Sequence, residues 1–212
     1  MAKKSNIYPI LMGDVVSSST FDGEILRKQL KSLVESSNKD FKANILSPLT
    51  ITLGDEFQGV LESKSTGIDL LFHFEETVLK NEFNFKLHYV LLMGEIETEI
   101  NPKIAHEMLG SGLSEARELL STKKRDRKRF KFKLQNKEQT DQLYRIFEVL
   151  DAIILNWKKE DYLIIYDMIQ NENDSEVGEL HGKNRDQIWK RRKTLMINEY
   201  NLLKDFIKTY IK

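Results

Sequence analysis

The order of residue periodicities along the first 134 residues is the feature that most restricts how this chain can fold. Short apolar runs typical of strands occur at "IYPILMGDVV" (7–16), on both sides of the turn in "LTITLGDEFQGVL" (49–61), at 83–96 and at 129–136. Segments with helical spacing separate them, at 23–41, 66–80 and 105–124. The first six elements run strand, helix, strand, strand, helix, strand, which predicts a βαββαβ ferredoxin-like unit.

The periodicity changes after Leu134. A polar stretch, "QNKEQTD", leads into a region that reads as helical from about Asp141 to the last residue. We therefore predict an α+β protein with two domains. A ferredoxin-like domain would span 1–138, and a small all-α domain would span 141–212.

Composition excludes several classes of function. The chain has no cysteine, which removes disulfides, thiolate metal sites and cysteine nucleophiles. Its 33 Lys and Arg residues balance 33 Asp and Glu residues, so any attraction to nucleic acid must be local. No apolar run approaches the roughly 18 residues of a membrane span. We expect a cytoplasmic protein without membrane insertion.

Three carboxylates stand out in the first domain. Asp14 ends the first strand, and Asp55 and Glu56 lie in the turn between the second and third strands. In a βαββαβ unit the third strand runs antiparallel between the first and second, so this turn lies beside the end of the first strand. Carboxylate oxygens suit Mg²⁺ or Mn²⁺, which protein sites often share with phosphate oxygens. The alternative is ordinary turn chemistry, for which Gly-Asp is common.

Several motifs resemble the SatD family, bacterial proteins linked to acid tolerance, in the same order and spacing: "MGDVVSSS", "TITLGDEFQGVL", "LLMGEIETEIN" and "GSGLSEARELL". The same blocks are more distantly similar to class III nucleotidyl cyclases and to diguanylate cyclases of the GGDEF type, which share a palm-like fold. The resemblance implies that Asp14 and Asp55 bind metal, with Glu56 beside them. It also implies that Arg117 meets the triphosphate of a bound nucleotide.

The chain departs from the cyclase pattern at two positions. Leu113 stands where cyclases usually carry an asparagine that contacts the ribose, and Leu53 stands where the GGDEF motif has a second glycine. These departures imply nucleotide binding without cyclase turnover. Ser17 and Ser18 follow Asp14, in the loop that faces the phosphates in the palm analogy. They are candidate nucleotide contacts, or else a serine-rich loop that caps the next helix.

The second domain contains a spacing similar to a helix-turn-helix of the sigma factor region-four type, in "SEVGELHGKNRDQIWKRRK". Gly178 occupies the small-residue position, Gly182 the turn and Ile188 the buried position, and Asn184 is a suitable cap for the second helix. Val177 and Leu180 are expected to form the apolar face of the first helix.

The second helix of this motif is rich in basic residues. We predict DNA contacts from six residues, which are Lys183, Asn184, Arg185, Gln187, Lys190 and Arg191. Residues 141–212 hold 12 basic and 13 acidic side chains, which favours a protein-interaction bundle equally. Trp189 is expected in the core. The helix is expected to continue beyond Leu195 as a long apolar stripe that packs internally or forms a homodimer seam.

Together these features predict an intracellular regulatory protein. A degenerate palm domain would bind a nucleoside triphosphate with Mg²⁺ or Mn²⁺, and a helix-turn-helix domain would pass that state to DNA or to a protein. Two alternatives stay open. One is an active nucleotidyl cyclase or transferase, and the other is a DNA-binding or scaffolding protein with an inert palm domain.

Overall fold

The structure is a computed structural model that describes residues 6–121 and 128–212. The first part of the chain contains strands and helices in the order β1 (Ile7–Val15), α1 (Gly23–Asp40), β2 (Ile45–Thr52), β3 (Glu56–Leu61), α2 (Lys64–Lys80), β4 (Leu87–Glu95), α3 (Ser111–Ser121) and β5 (Phe130–Lys133). The remainder is helical, as α4 (Lys137–Leu155), α5 (Tyr162–Gln170), α6 (Asp174–Leu180), α7 (Arg185–Thr194) and α8 (Ile197–Tyr210). The protein is thus of mixed α+β class.

The five strands form one sheet in the order β2-β3-β1-β4-β5. β1 pairs antiparallel with both β3 and β4, and β3 pairs antiparallel with β2. This is the strand order expected for the βαββαβ unit. β5 adds to the outer side of β4 in parallel orientation. The arrangement places the end of β1 beside the turn that joins β2 to β3.

The first face of the sheet carries the larger of two hydrophobic cores. Side chains alternate along β1, so Leu11 and Val15 point to this face. They join a continuous cluster with α1 and α2 and with the C-terminal helices, including Phe147 on α4 and Tyr200 on α8. The C-terminal helices therefore pack in the same core as the sheet. The predicted division at 138–141 stays a prediction.

The second face carries a smaller core, which is covered by α3 and by the segment that precedes it. Ile10 and Met12 of β1 point to this face and pack with Leu113 and Ala116 of α3. This face also contains Lys131 of β5, which is buried, and its Nζ donates to the Leu119 carbonyl 3.0 Å away. One of the basic side chains of β5 is therefore buried.

A buried ion network joins the sheet to the helices. The Arg129 guanidinium, 4% exposed, donates to both carboxylate oxygens of Glu75 on α2 at 3.0 Å each, to Asp151 on α4 at 2.7 Å and to the Leu87 carbonyl at 3.2 Å. The Tyr89 hydroxyl also donates to Glu75, at 2.8 Å. Burial opposes the charge of Arg129, but Glu75 and Asp151 outweigh it and raise the pKa of the guanidinium. The network fixes α2, β4 and α4 to one another.

Two helix boundaries differ from the sequence prediction. The polar stretch before the helical region is short, because Asn136 caps α4 by accepting a hydrogen bond from the Gln139 amide. The predicted continuous C-terminal helix is wrong. It breaks between α7 and α8, where Met196 adopts a left-handed φ of 55°. Among the helices of the described chain, none combines the length and apolarity that a bilayer crossing requires.

Candidate nucleotide and nucleic-acid sites

The predicted neighbours Asp14 and Glu56 lie directly opposite each other in the β1–β3 pairing. The backbone amide of Val15 donates to the Asp55 carbonyl at 3.1 Å, which fixes the turn against the end of β1. Opposed residues on antiparallel strands point to the same face, with Cβ atoms about 5 Å apart. The fold therefore brings together Asp14 and Glu56, two acidic residues that are 42 positions apart in the sequence.

These side chains form a polar row at one end of the second face. Asp14 is 1% exposed, and it lies between Glu56 on β3 and His88, its register partner on β4. Met12, two residues earlier on β1, points to the same face and belongs to the second core. The row therefore begins where the apolar packing of that face ends. Sequence analysis did not include His88 in this group.

The turn beside Asp14 has an unusual backbone. Leu53 and Gly54 both have positive φ, of 53° and 89°. Glycine adopts this conformation at little cost, whereas a branched side chain such as leucine is uncommon there. Leu53 is also 81% exposed, so burial does not offset the strain. The turn thus has a backbone conformation that glycine adopts most readily, although position 53 is an exposed leucine.

The described residues, 6–121 and 128–212, contain no group of three or more His, Cys, Asp and Glu side chains placed to hold a metal ion. A cation at this edge would therefore rely on fewer carboxylates and complete its shell with water or phosphate oxygens, as Mg²⁺ usually does. Asp14 and Glu56 fit that mode of binding, and Asp55 meets the end of β1 through its backbone carbonyl. Their assignment as metal ligands stays a prediction.

Ser17 and Ser18 lie directly after β1, as expected, but their backbone forms a tight turn. Ser17 has a left-handed φ of 54°, and its carbonyl accepts hydrogen bonds from the amide and the hydroxyl of Thr20, at 2.9 and 2.8 Å. The Asp22 carboxylate caps α1 by accepting from two backbone amides. The serines therefore do not cap this helix, and their role as nucleotide contacts stays a prediction.

Arg117 on α3 reaches down to the second face of the sheet. Its Nη2 donates to Oε1 of Gln58 at 2.9 Å, and Nε2 of Gln58 donates to the Ala105 carbonyl at 2.7 Å. Gln58 lies on β3 two residues after Glu56, so both side chains point to the same face. The structure thus places the predicted phosphate contact one row from Asp14 and Glu56.

The α6–α7 pair has the local geometry of the predicted helix-turn-helix. Gly182 has a φ of 60° in the turn, and a Cβ on Gly178 would lie only 2.4 Å from the Lys183 carbonyl oxygen. The Asn184 side chain accepts from the Gln187 amide, and the Gln187 side chain accepts from the Asn184 amide, each at 2.9 Å. This reciprocal capping box starts α7. Ile188 and Val177 are buried, as predicted.

Two predicted core positions of this motif are wrong. Leu180 is 70% exposed, because the short α6 directs only Val177 and Gly178 inward. Trp189 is 45% exposed, and the Nζ of Lys193 lies 3.9 Å from its ring centroid. A cation over an indole ring stabilises the aromatic side chain at the surface. The exposed side of α7 is therefore both basic and aromatic.

The predicted DNA-contacting residues divide into two groups. Lys183, Arg185 and Lys190 are exposed. The side chains of Asn184 and Gln187 are engaged in the capping box, and Arg191 forms an ion pair with Asp161. Arg192, one residue later, is buried and donates to Asp174 and to two backbone carbonyls, so it joins α7 to α5 and α6. DNA contact by the first group stays a prediction.

Comparison with models of protein families shows which family the chain belongs to. The model of the SatD family matches residues 8–198. The chain belongs to the SatD family. No curated protein matches it. Among solved structures, this SatD protein is similar to a bacterial light-regulated adenylyl cyclase, with 12% sequence identity and a TM-score of 0.39. That match covers 62% of the SatD chain and 44% of the cyclase chain, so the SatD chain spans less than half of the cyclase's length.

Sequence reasoning missed Gln58, although a signal for it was present. In "GDEFQGVL", Gln58 occupies the alternation position between Glu56 and Val60, and the other residues of β3 after Glu56 are apolar. A polar side chain at a core position requires a hydrogen-bond partner. The alternation could therefore have predicted a buried polar contact, but not that its partner is Arg117.

Proposed function

We propose that this SatD protein binds a nucleoside triphosphate together with Mg²⁺ or Mn²⁺ at the Asp14 end of the sheet. The observation that carries the proposal is the opposition of Asp14 and Glu56 in the strand register, with the Asp55 backbone bonded to Val15. Carboxylate oxygens that share one end of a sheet are suitable ligands for Mg²⁺ or Mn²⁺, and such an ion completes its shell with phosphate oxygens. Arg117, on the same face, supplies a positive group for a phosphate.

The surroundings of the site favour binding over turnover. Leu113 stands where cyclases carry a ribose-contacting asparagine, and it is buried in the second core. It offers no hydrogen bond to a sugar hydroxyl. The proposed role is therefore that of a nucleotide sensor, whose bound state reaches DNA or a protein through the C-terminal helices.

Calorimetry of the full chain with ATP and GTP, with and without Mg²⁺, tests the proposal. We expect binding that requires the cation and that weakens about tenfold or more in Asp14→Asn and in Glu56→Gln, because each change removes a metal-binding charge. Glu62→Gln is the matched control, since Glu62 is an exposed carboxylate just beyond the other end of β3. No heat at millimolar triphosphate, or unchanged binding in Asp14→Asn, would contradict the proposal.

The same incubation separates a sensor from an enzyme. An active cyclase or transferase would release pyrophosphate with Mn²⁺ present, and Asp55→Ala would stop that release. We expect no pyrophosphate above the background of the Asp55→Ala variant. Sustained release by the native chain would instead establish the enzyme.

DNA binding by α7 is the second candidate function, and the exposed basic and aromatic side of that helix favours it. The α6–α7 turn has the conformation that such a motif needs, and Lys183, Arg185 and Lys190 are exposed beside it. Phosphate neutralisation by these side chains would make binding fall steeply between about 50 and 200 mM salt.

Fluorescence anisotropy with a mixed-sequence DNA duplex tests this second function. We expect Arg185→Ala and Lys190→Ala to weaken binding and to reduce its dependence on salt. Lys39→Ala is the matched control, because Lys39 is an exposed lysine on α1. A change of DNA affinity on adding ATP with Mg²⁺ would support coupling between the two sites. Equal losses in Lys39→Ala and Lys190→Ala would rule out a specific role for α7.

A further inference from the structure

Gln58 is a buried polar residue, 4% exposed, between two elements of the second face. Its amide group donates to the Ala105 carbonyl and accepts from Arg117. The two partners fix the orientation of this amide, because a carbonyl oxygen only accepts and a guanidinium only donates. The Oε1 of Gln58 therefore faces Arg117.

The hydrogen-bond partner of Arg117 is neutral, whereas three other arginines of the described residues are paired with carboxylates. Arg129, Arg191 and Arg192 are each paired with at least one carboxylate. Within residues 6–121 and 128–212, Arg117 is hydrogen-bonded to Gln58 alone. A neutral amide holds a guanidinium in place without cancelling its charge. It uses one of the five N–H donors of the arginine and leaves the others for an anion.

The held guanidinium is close to the proposed site. Gln58 and Glu56 are two residues apart on β3, which is about 7 Å along a strand. Their partners on β1 are Met12 and Asp14, so the Gln58 row is adjacent to the acidic row. Arg117 is itself exposed on α3, so the phosphates of a ligand bound at the acidic row are within reach of its guanidinium from solvent.

We propose that Gln58 is a positioning residue that holds Arg117, still charged, where it contacts the phosphate groups of the bound ligand. This inference rests on the proposed function of the same site. Gln58 itself does not need to touch the ligand. Replacing Gln58 should therefore lower the affinity for the ligand in a chain that contains Arg117, but not in a chain from which Arg117 has been removed.

Binding of inorganic tripolyphosphate with Mg²⁺ to the full chain is the test, because this probe carries the phosphates without a base or sugar. We expect Gln58→Met and Arg117→Met each to weaken binding about tenfold, as loss of a charge-assisted contact does. The double variant should bind no more weakly than Arg117→Met alone, because the two residues act as one unit.

Thr50→Val is the matched control for a merely structural role. The Thr50 hydroxyl accepts from the Ala105 amide at 3.1 Å, so it also pins the segment before α3 but does not touch Arg117. We expect its affinity for tripolyphosphate to equal that of the native chain. Should Gln58→Met fail to fold, Gln58→Asn replaces it, since the shorter amide stays neutral but cannot reach both partners.

Four results would overturn the inference. Native affinity in Gln58→Met, or a further loss when Gln58→Met is added to Arg117→Met, would show that Gln58 does not act through Arg117. Equal weakening by Thr50→Val would show that the effect is structural. Absence of binding by the native chain to both tripolyphosphate and nucleotides would instead refute the proposed function, and this inference with it.

Discussion

Replacing Arg129 by methionine should be one of the most destabilising single changes in this protein. The substitution keeps much of the side-chain volume but removes the cation that Glu75 and Asp151 share, and four hydrogen bonds with it. The Glu75 and Asp151 side chains are only 9% and 14% exposed, so water cannot replace the lost partner. Removing one member of a buried pair typically costs about 3–5 kcal/mol.

That cost should depend on pH in a defined direction. In the native chain, burial already raises the pKa of Asp151, although Arg129 acts to lower it. Without Arg129, burial alone would act on Asp151, so folding would favour the protonated form of its carboxyl group. The destabilisation should therefore be small in acid and grow as pH rises from about 4 to 7, where the unfolded carboxyl groups ionise.

Urea unfolding followed by circular dichroism at several pH values measures this effect. We expect the free energy of unfolding to fall by about 4 kcal/mol near pH 7, and the melting temperature by roughly 10 °C. Lys128→Met is the control, since the neighbouring Lys128–Glu148 pair is half exposed and worth less than about 1 kcal/mol. A loss below about 1 kcal/mol, or an equal loss at every pH, would refute the reasoning.

Three further predictions concern strain, close contact and protonation. Leu53→Gly should raise the free energy of unfolding in urea by about 1 kcal/mol, because Leu53 is exposed and its backbone is left-handed. Leu53→Val should not raise it. Gly178→Ala should lower the unfolding free energy by about 1–3 kcal/mol through contact with the Lys183 carbonyl, whereas Gly23→Ala, with nothing within 4 Å, should not lower it. Burial lowers the pKa of His73, so the unfolded state binds a proton more readily than the folded state. The free energy of unfolding should therefore fall as pH drops below about 6.5. In urea unfolding at several pH values, His73→Gln should make this decline smaller.

The sequence predicted the parts of this fold that depend on local pattern and on topology. The order of strand and helix periodicities was enough for the arrangement of β1 to β4, since few strand orders are compatible with a βαββαβ unit. That topology in turn placed Asp14 beside the turn at residues 53–55. Gly182 and Asn184 were found because a left-handed turn and a helix cap each need particular residue types.

The parts that depend on side-chain partners were missed. Trp189 was expected inside because aromatic residues usually are, but the neighbouring Ile188 takes the inward position and Lys193 covers the indole ring. The break before α8 falls at Leu195–Met196, which contains neither glycine nor proline. The hydrogen bond from Arg117 to Gln58 joins residues that are 59 positions apart, and no local sequence pattern predicts such a pair.

The core on the first face has a consequence for how the molecule melts. The Phe72 ring on α2 packs against Phe147 of α4 and Tyr200 of α8, so α2 and the C-terminal helices bury these aromatic rings only together. Losing one half would open the interior of the other to water. We therefore expect one cooperative calorimetric transition, in which a perturbation at either end of the chain is felt by the whole.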